Sequence, residues 1–263
     1  MFSKAIFKQT LKANFKLWII FTVITSAMLA VMIAVFEPTT LTGMTDMVKG
    51  TPLADMMKNT TFLGMLASTF YSMHGVLLPV IFIMMTANSL IASQVDRGSM
   101  AYLLSTPTKR STVVRTQALY LITSLIMMFV IVTGVGLAAI QIFQGNVDIN
   151  ISDFIMLNVG LFLLMFATSA ISFFFSCLFN LSKNSLALGA GIPVAFFLFQ
   201  LMGQVSKSLE KMKYLSLNTL FDTSAILNGD SVAIPFIILI GVGIILYGLG
   251  MRVFQQKIYR FKI

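Results

Sequence analysis

Charge is what this sequence has least of. Only 10% of its 263 residues are Asp, Glu, Lys or Arg, against about 25% in a soluble domain. Hydrophobic residues make up 57%, and mean hydropathy is +0.92. An ordinary water-soluble globule is therefore excluded. Cysteine occurs once, at Cys177, and histidine once, at His74. A single cysteine makes no internal disulfide and anchors no Cys/His metal cluster. Cys177 lies inside an apolar run and reads as a small buried apolar side chain. No GxxxxGK[ST] phosphate loop, HExxH, GxSxG or paired-carboxylate site is present, so the chain has no familiar means of binding ATP or of hydrolysis. The first 16 residues are too charged for a secretory leader, and no small-residue cleavage site follows the apolar run from Leu17.

What remains is apolar runs of about 20 residues, the length that crosses a bilayer as a helix. Six are read: Leu17–Phe36, Ser72–Ala92, Gln117–Phe143, Phe154–Phe179, Leu186–Gln204 and Val232–Met251. The runs are continuous, without the alternation of a β-barrel. The expected fold is an all-α membrane protein, one transmembrane domain over 1–263, built as three helical hairpins. Pro79, Pro193 and Pro235 fall within or at the start of spans, where neighbouring helices re-satisfy the freed carbonyls.

Six spans put both termini on one side. Lys4, Lys8, Lys12, Lys16, Arg97, Lys109, Arg110, Arg115, Lys183, Arg252, Lys257, Arg260 and Lys262 lie there, with Asp96 as the sole acid. The opposite side carries Lys49, Lys58, Lys207, Lys211 and Lys213 together with the other acids. The positive-inside rule then predicts a multi-pass cell-membrane protein with both termini cytoplasmic. Basic excess against the inner-leaflet lipid accounts for the net charge of +9 without nucleic acid.

The segments between spans carry the functional signals. Lysine recurs every fourth residue over the first 16, predicting an amphipathic interfacial helix with snorkelling lysines. It reads either as a topology anchor or as a contact for a cytoplasmic partner. A short surface helix is expected over Met44–Met57. Lys207–Asp230 reads either as a partly helical, re-entrant outer closure or as a solvated connection. Between spans two and three stands Asp96-Arg97-Gly98-Ser99-Met100-Ala101-Tyr102-Leu103-Leu104-Ser105-Thr106-Pro107-Thr108-Lys109-Arg110. Ser99 suits a helix cap and Pro107 a stop. Met100, Leu103 and Leu104 give the helix a greasy face, flanked by Arg97, Lys109 and Arg110, that fits a groove on another protein. The bland alternative is a hairpin turn carrying orientation charges.

Within the spans no Asp, Glu, Lys or Arg is expected, which argues against a proton-driven pump or antiporter. Uncharged polar groups such as Asn88 and Gln200 read first as inter-helix hydrogen bonders. As a substrate path the chain offers His74, Asn88, Pro193, Phe196, Phe197, Phe199 and Gln200. The phenylalanines of span five supply a broad apolar surface there and Gln200 a polar handle.

Taken together, the layout resembles the ABC type-2 permeases, membrane subunits of bacterial ABC exporters. The resemblance rests on the basic N-terminal helix, the six spans, and a first loop in which Asp96-Arg97-Gly98-Ser99 leads to Leu103-Leu104-Ser105-Thr106-Pro107 and Lys109-Arg110. The family's commoner form has Glu where Asp96 stands. The resemblance implies that this loop is a coupling helix seated on a separate ATPase and that the N-terminal helix is an elbow. Asn180-Leu181-Ser182-Lys183-Asn184 would form a second ATPase contact through Lys183 and Asn184. Two permeases, as a homodimer, would pair with two ATPase subunits holding the ATP and Mg. No cofactor belongs to this chain. The cargo expected from a dry, Phe-rich interior is hydrophobic or amphipathic: a peptide, an antimicrobial, a drug or a lipid. The competing class is a non-transporting assembly or signalling anchor, which the topology fits but the greasy loop helix does not explain.

Overall fold

A computed structural model of the chain describes residues 2–36, 61–105, 108–145, 149–205 and 214–257. All regular elements among them are helical. They are α1 (Lys4–Val35), α2 (Phe62–Leu66), a π-helical segment (Ala67–His74), α3 (Gly75–Leu90), α4 (Ala92–Asp96), α5 (Ser99–Ser105), α6 (Arg110–Phe143), α7 (Ile151–Leu178), α8 (Ser182–Gly189), α9 (Gly191–Val205), a short 3-10 turn (Leu217–Leu220), α10 (Thr223–Leu227) and α11 (Ala233–Gln256). Six spans among the described residues are long and apolar enough to cross a membrane: Lys4–Val35, Phe62–Asp96, Arg110–Phe143, Ile151–Leu178, Ser182–Met202 and Ala233–Gln256. The chain is an all-α, multi-pass membrane protein.

The expected elbow is not a separate element. α1 runs unbroken for 32 residues from its Ser3 cap, about 48 Å at 1.5 Å per residue. No Gly or Pro occurs between Lys4 and Val35 to break it. Polar side chains also bind its basic half to the bundle. Thr10 Oγ1 donates to Gln117 Oε1 at 3.1 Å, Ser89 Oγ to Asn14 Oδ1 at 2.9 Å, and Trp18 Nε1 to the Ser124 carbonyl at 2.8 Å. The lysines Lys4, Lys8, Lys12 and Lys16 are all exposed.

α7 is the central helix. Most of it is buried, against α11, α3, α8 and α6. Its inward residues include a run of small ones, Ala167, Thr168, Ser169, Ala170, Ser172 and Ser176, among larger apolar side chains, which lets neighbouring helices come close. α11 answers with Gly243 and Gly250. A Cβ on Gly243 would fall 2.2 Å from Phe166 Cε1, and one on Gly250 3.3 Å from Phe174 Cα.

Span five is two helices, with a turn at Ala190 between α8 and α9. The cause is local. Pro193 has no N–H for the carbonyl of Gly189, four residues back. Ser172 Oγ on α7 donates to that carbonyl instead, at 2.6 Å. Ser172→Ala should therefore lower the thermal stability of the detergent-solubilised protein by about 1–2 kcal/mol equivalent. The loss should shrink in a Pro193→Ala background, where the backbone supplies the donor. Equal losses in both backgrounds would show that the hydroxyl does not serve the proline.

Span two begins earlier than expected. α2 and the π-helical segment precede α3, so helix starts at Phe62 rather than Ser72. Tyr71 on the π segment is fully buried and accepts a hydrogen bond from Asn158 Nδ2 at 2.7 Å. Phe221, from the segment after span five, packs beside Tyr71 and over Gly160. The described part of Lys207–Asp230 thus folds back onto the bundle end remote from the termini. Met44–Met57 lies outside the described residues.

Candidate functional site

Both loops at the basic end converge on one residue, Ser182, the first residue of α8. Asn88 Nδ2, near the end of α3, donates to Ser182 Oγ at 2.7 Å. The Ser182 backbone N–H donates to Asp96 Oδ2 at 3.1 Å, so a carboxylate from the first loop satisfies an open N–H at the start of a helix in the second. Below them the Ala92 N–H donates to the buried Ser176 Oγ at 3.1 Å. The first loop and the α7–α8 loop are therefore one hydrogen-bonded unit.

Between α4 and α5 the chain turns at Gly98, whose φ of +74° suits glycine. Ser99 does not cap α5 as expected. It is the first helical residue, and its Oγ donates to the Gln94 carbonyl of α4 at 3.1 Å. Met100 is fully buried in a cluster with Ile6, Ala87, Leu90, Ile91, Val113 and Val114. It faces its own bundle, not outward as the sequence reading had it. Leu103 is half-buried against the same cluster. Tyr102 is 81% exposed, and Arg97, Lys109, Arg110, Lys183 and Asn184 are exposed as well. Pro107 and the side chain of Leu104 lie outside the described residues.

Lys257, just after α11, is tied to the start of α6 and the end of α7. Arg110 Nη1 donates to the Lys257 carbonyl at 2.9 Å, and Lys257 Nζ donates to the Leu178 carbonyl at 2.5 Å, capping the C-terminus of α7. Partial burial lowers the Lys257 pKa from its ordinary value.

The residues proposed for a substrate path do not gather. Asn88 sits at the basic end on Ser182. Gln200 is at the other end of α9, where its Oε1 accepts from Asn218 Nδ2 at 2.8 Å. His74 is half-buried on the π segment, Nδ1 3.4 Å from the Thr69 carbonyl. Pro193 and Phe197 are buried, while Phe196 and Phe199 are half-buried along α9. The sequence reading named Ser182 only within the Asn180–Asn184 loop, without its hydrogen-bonding role, and gave no role to Ser176, Thr10 or Gln117. Their signal was polar residues at helical spacing in otherwise apolar helices, as in Thr10/Asn14 and Ser172/Ser176.

The chain matches the family described as ABC-2 family transporter protein over residues 7–258. It belongs to that family. It is thus a permease component of a transporter whose ATP hydrolysis resides in a separate ABC ATPase subunit. No curated protein matches the sequence.

Proposed function

We propose that this chain is the membrane subunit of a bacterial ATP-driven exporter, with both termini in the cytoplasm. It moves a hydrophobic or amphipathic cargo outward on ATP and Mg held by its partner. Two copies of the chain pair with two ATPase subunits, whose docking site is the surface of α5. The observation that carries this reading is the build of that surface. Met100 roots α5 in the bundle, while Tyr102 projects from it and Arg97 stands exposed just before it. The Asp96–Ser182 bond joins it to the second loop. A turn whose only task was to carry orientation charges would need neither the buried root nor the cross-loop tie. Lys4, Lys8, Lys12, Lys16, Arg97, Lys109, Arg110 and Lys183 are exposed, which suits a cytoplasmic face under the positive-inside rule. The dry, phenylalanine-lined interior supports an apolar or amphipathic cargo.

The test is purification from native membranes into nanodiscs, followed by native mass spectrometry and an ATPase assay. The expected result is a complex of two permeases and two ATPases with Mg-dependent hydrolysis. A homo-oligomer carrying no ATPase would overturn the reading and favour an anchor.

A further inference from the structure

Asn158 is the only amide side chain of α7. It lies about 10 Å along the helix from Ile151, at hydrocarbon depth for a span of this length, and is 3% exposed. Its Nδ2 donates to Tyr71 Oη at 2.7 Å and to the Phe154 carbonyl at 2.8 Å. A carbonyl only accepts, so the amide cannot be turned over to put its oxygen there. Asn158 Oδ1 is left buried with no hydrogen-bond partner among the described residues. An acceptor so placed is costly until a donor reaches it.

Asn158 also lines a groove of about 380 Å³ between α6 and α7, within the size range of small-molecule sites. Of its ten lining residues only Asn158 and Thr133 have polar side chains, and none is charged. The rings of Phe129 and Phe162, both in the lining, meet edge to face at 5.8 Å. Gly134 keeps the space open: a Cβ there would meet nothing within 4 Å. Val130 is 61% and Val159 42% exposed, so the groove opens sideways, toward lipid. These walls narrow the occupant. An ion would call for an opposite charge, and none is present. Water is held by about three polar partners, more than this lining offers. A bare acyl chain suits the walls but brings the oxygen no donor. A transmembrane helix is about 10 Å across with its N–H groups already used, and would ride on Val130 and Val159 above the floor. A slim hydroxyl on an apolar body satisfies both walls and oxygen.

We propose that this groove binds, from the bilayer, an uncharged amphiphile of the alcohol class, with its apolar body against Phe129 and Phe162 and its hydroxyl donating to Asn158 Oδ1. The proposal goes beyond the exporter reading and holds without it. Because the same amide holds Tyr71, the groove is tied directly to the π-helical segment that opens span two.

The experiment places the full chain in phosphatidylcholine nanodiscs, without ATPase, with dodecanol bearing a diazirine at its chain end. After illumination, mass spectrometry locates the adducts. Saturable labelling is expected on the peptides that carry Phe129–Leu137 and Ile155–Phe162. Unlabelled dodecanol should displace the probe about tenfold better than its methyl ether, which keeps the body and the oxygen but has no donor. In Asn158→Leu that preference should vanish. Gly134→Leu tests the site without disturbing the Tyr71 bond: it fills the groove from an exposed position, so labelling should fall about tenfold while thermal stability at least matches the parent's. Equal displacement by alcohol and ether overturns the proposal, since the groove would then hold only bulk lipid. Labelling that never saturates, or that persists in Gly134→Leu, overturns it as well. So do cross-links between two copies through Val130→Cys that exclude the probe, which would give this face to the permease pair. The exporter reading survives each of those failures, because the ATPase takes no part in the measurement.

Discussion

The double variant Tyr102→Asp, Arg97→Glu should lose its ATPase partner while remaining folded. Tyrosine and arginine are enriched among interface hot spots, where loss of one side chain costs about 2 kcal/mol or more, or about 30-fold in affinity. Both side chains are exposed here, Tyr102 to 81%. Their removal leaves the bundle's packing untouched, and thermal stability should stay within about 0.5 kcal/mol of the parent. Association is measured by pull-down from nanodiscs against titrated ATPase. Met100→Ala is the contrasting control. Met100 is fully buried beside Ile6 and Val113, so its truncation should cost about 2–5 kcal/mol of stability and weaken docking only through misplacement of α5. Leu103 makes a poor probe, because its half-buried contact with the same cluster would mix the two effects. Full ATPase retention by the Tyr102/Arg97 variant would remove α5 from the interface.

The spans were legible because lipid imposes a coarse rule of length and hydropathy that local sequence satisfies. Their ends were not, because packing decides them. α6 starts at Arg110 rather than Gln117: Thr112, Val113, Val114 and Thr116 are buried at the basic end, though Arg115 interrupts the apolar run. The π segment has no sequence marker; it appears where Tyr71 turns in to meet Asn158. The first loop was legible as a motif, but the orientation of its residues was not. Helical spacing places Met100, Leu103 and Leu104 on one stripe and cannot say whether the stripe faces a partner or the chain's own core. The part Ser182 plays in joining the two loops was hidden for a similar reason. Its two partners lie 94 and 86 residues away, a relation that no window along the chain contains.

Asp96→Ala should separate ATPase binding from its effect on the spans. The carboxylate is exposed, so its loss leaves the core intact, but it frees the Ser182 N–H and the start of α8. Losing a helix-capping acceptor costs about 0.5–2 kcal/mol, enough to raise local opening at that helix end roughly 2- to 30-fold. Hydrogen exchange of the Ser182–Gly189 amides reads this directly. Asp96→Asn keeps an acceptor oxygen and should restore most of the protection. The functional consequence follows from the connectivity: α8 leads through the Ala190 turn into α9, so the Asp96–Ser182 bond is a direct hydrogen-bonded link from the first loop to the fifth span. Spin labels on Ser105 of α5 and Leu198 of α9 would report both ends, and the buried Cys177 leaves their attachment clean. With ATP, both labels should shift in the parent protein. In Asp96→Ala the α5 label should still respond while the α9 response falls severalfold. If α9 moved as before, force would have to reach it through Asn88 and Ser176 instead, and the carboxylate would be a local cap with no part in transmission.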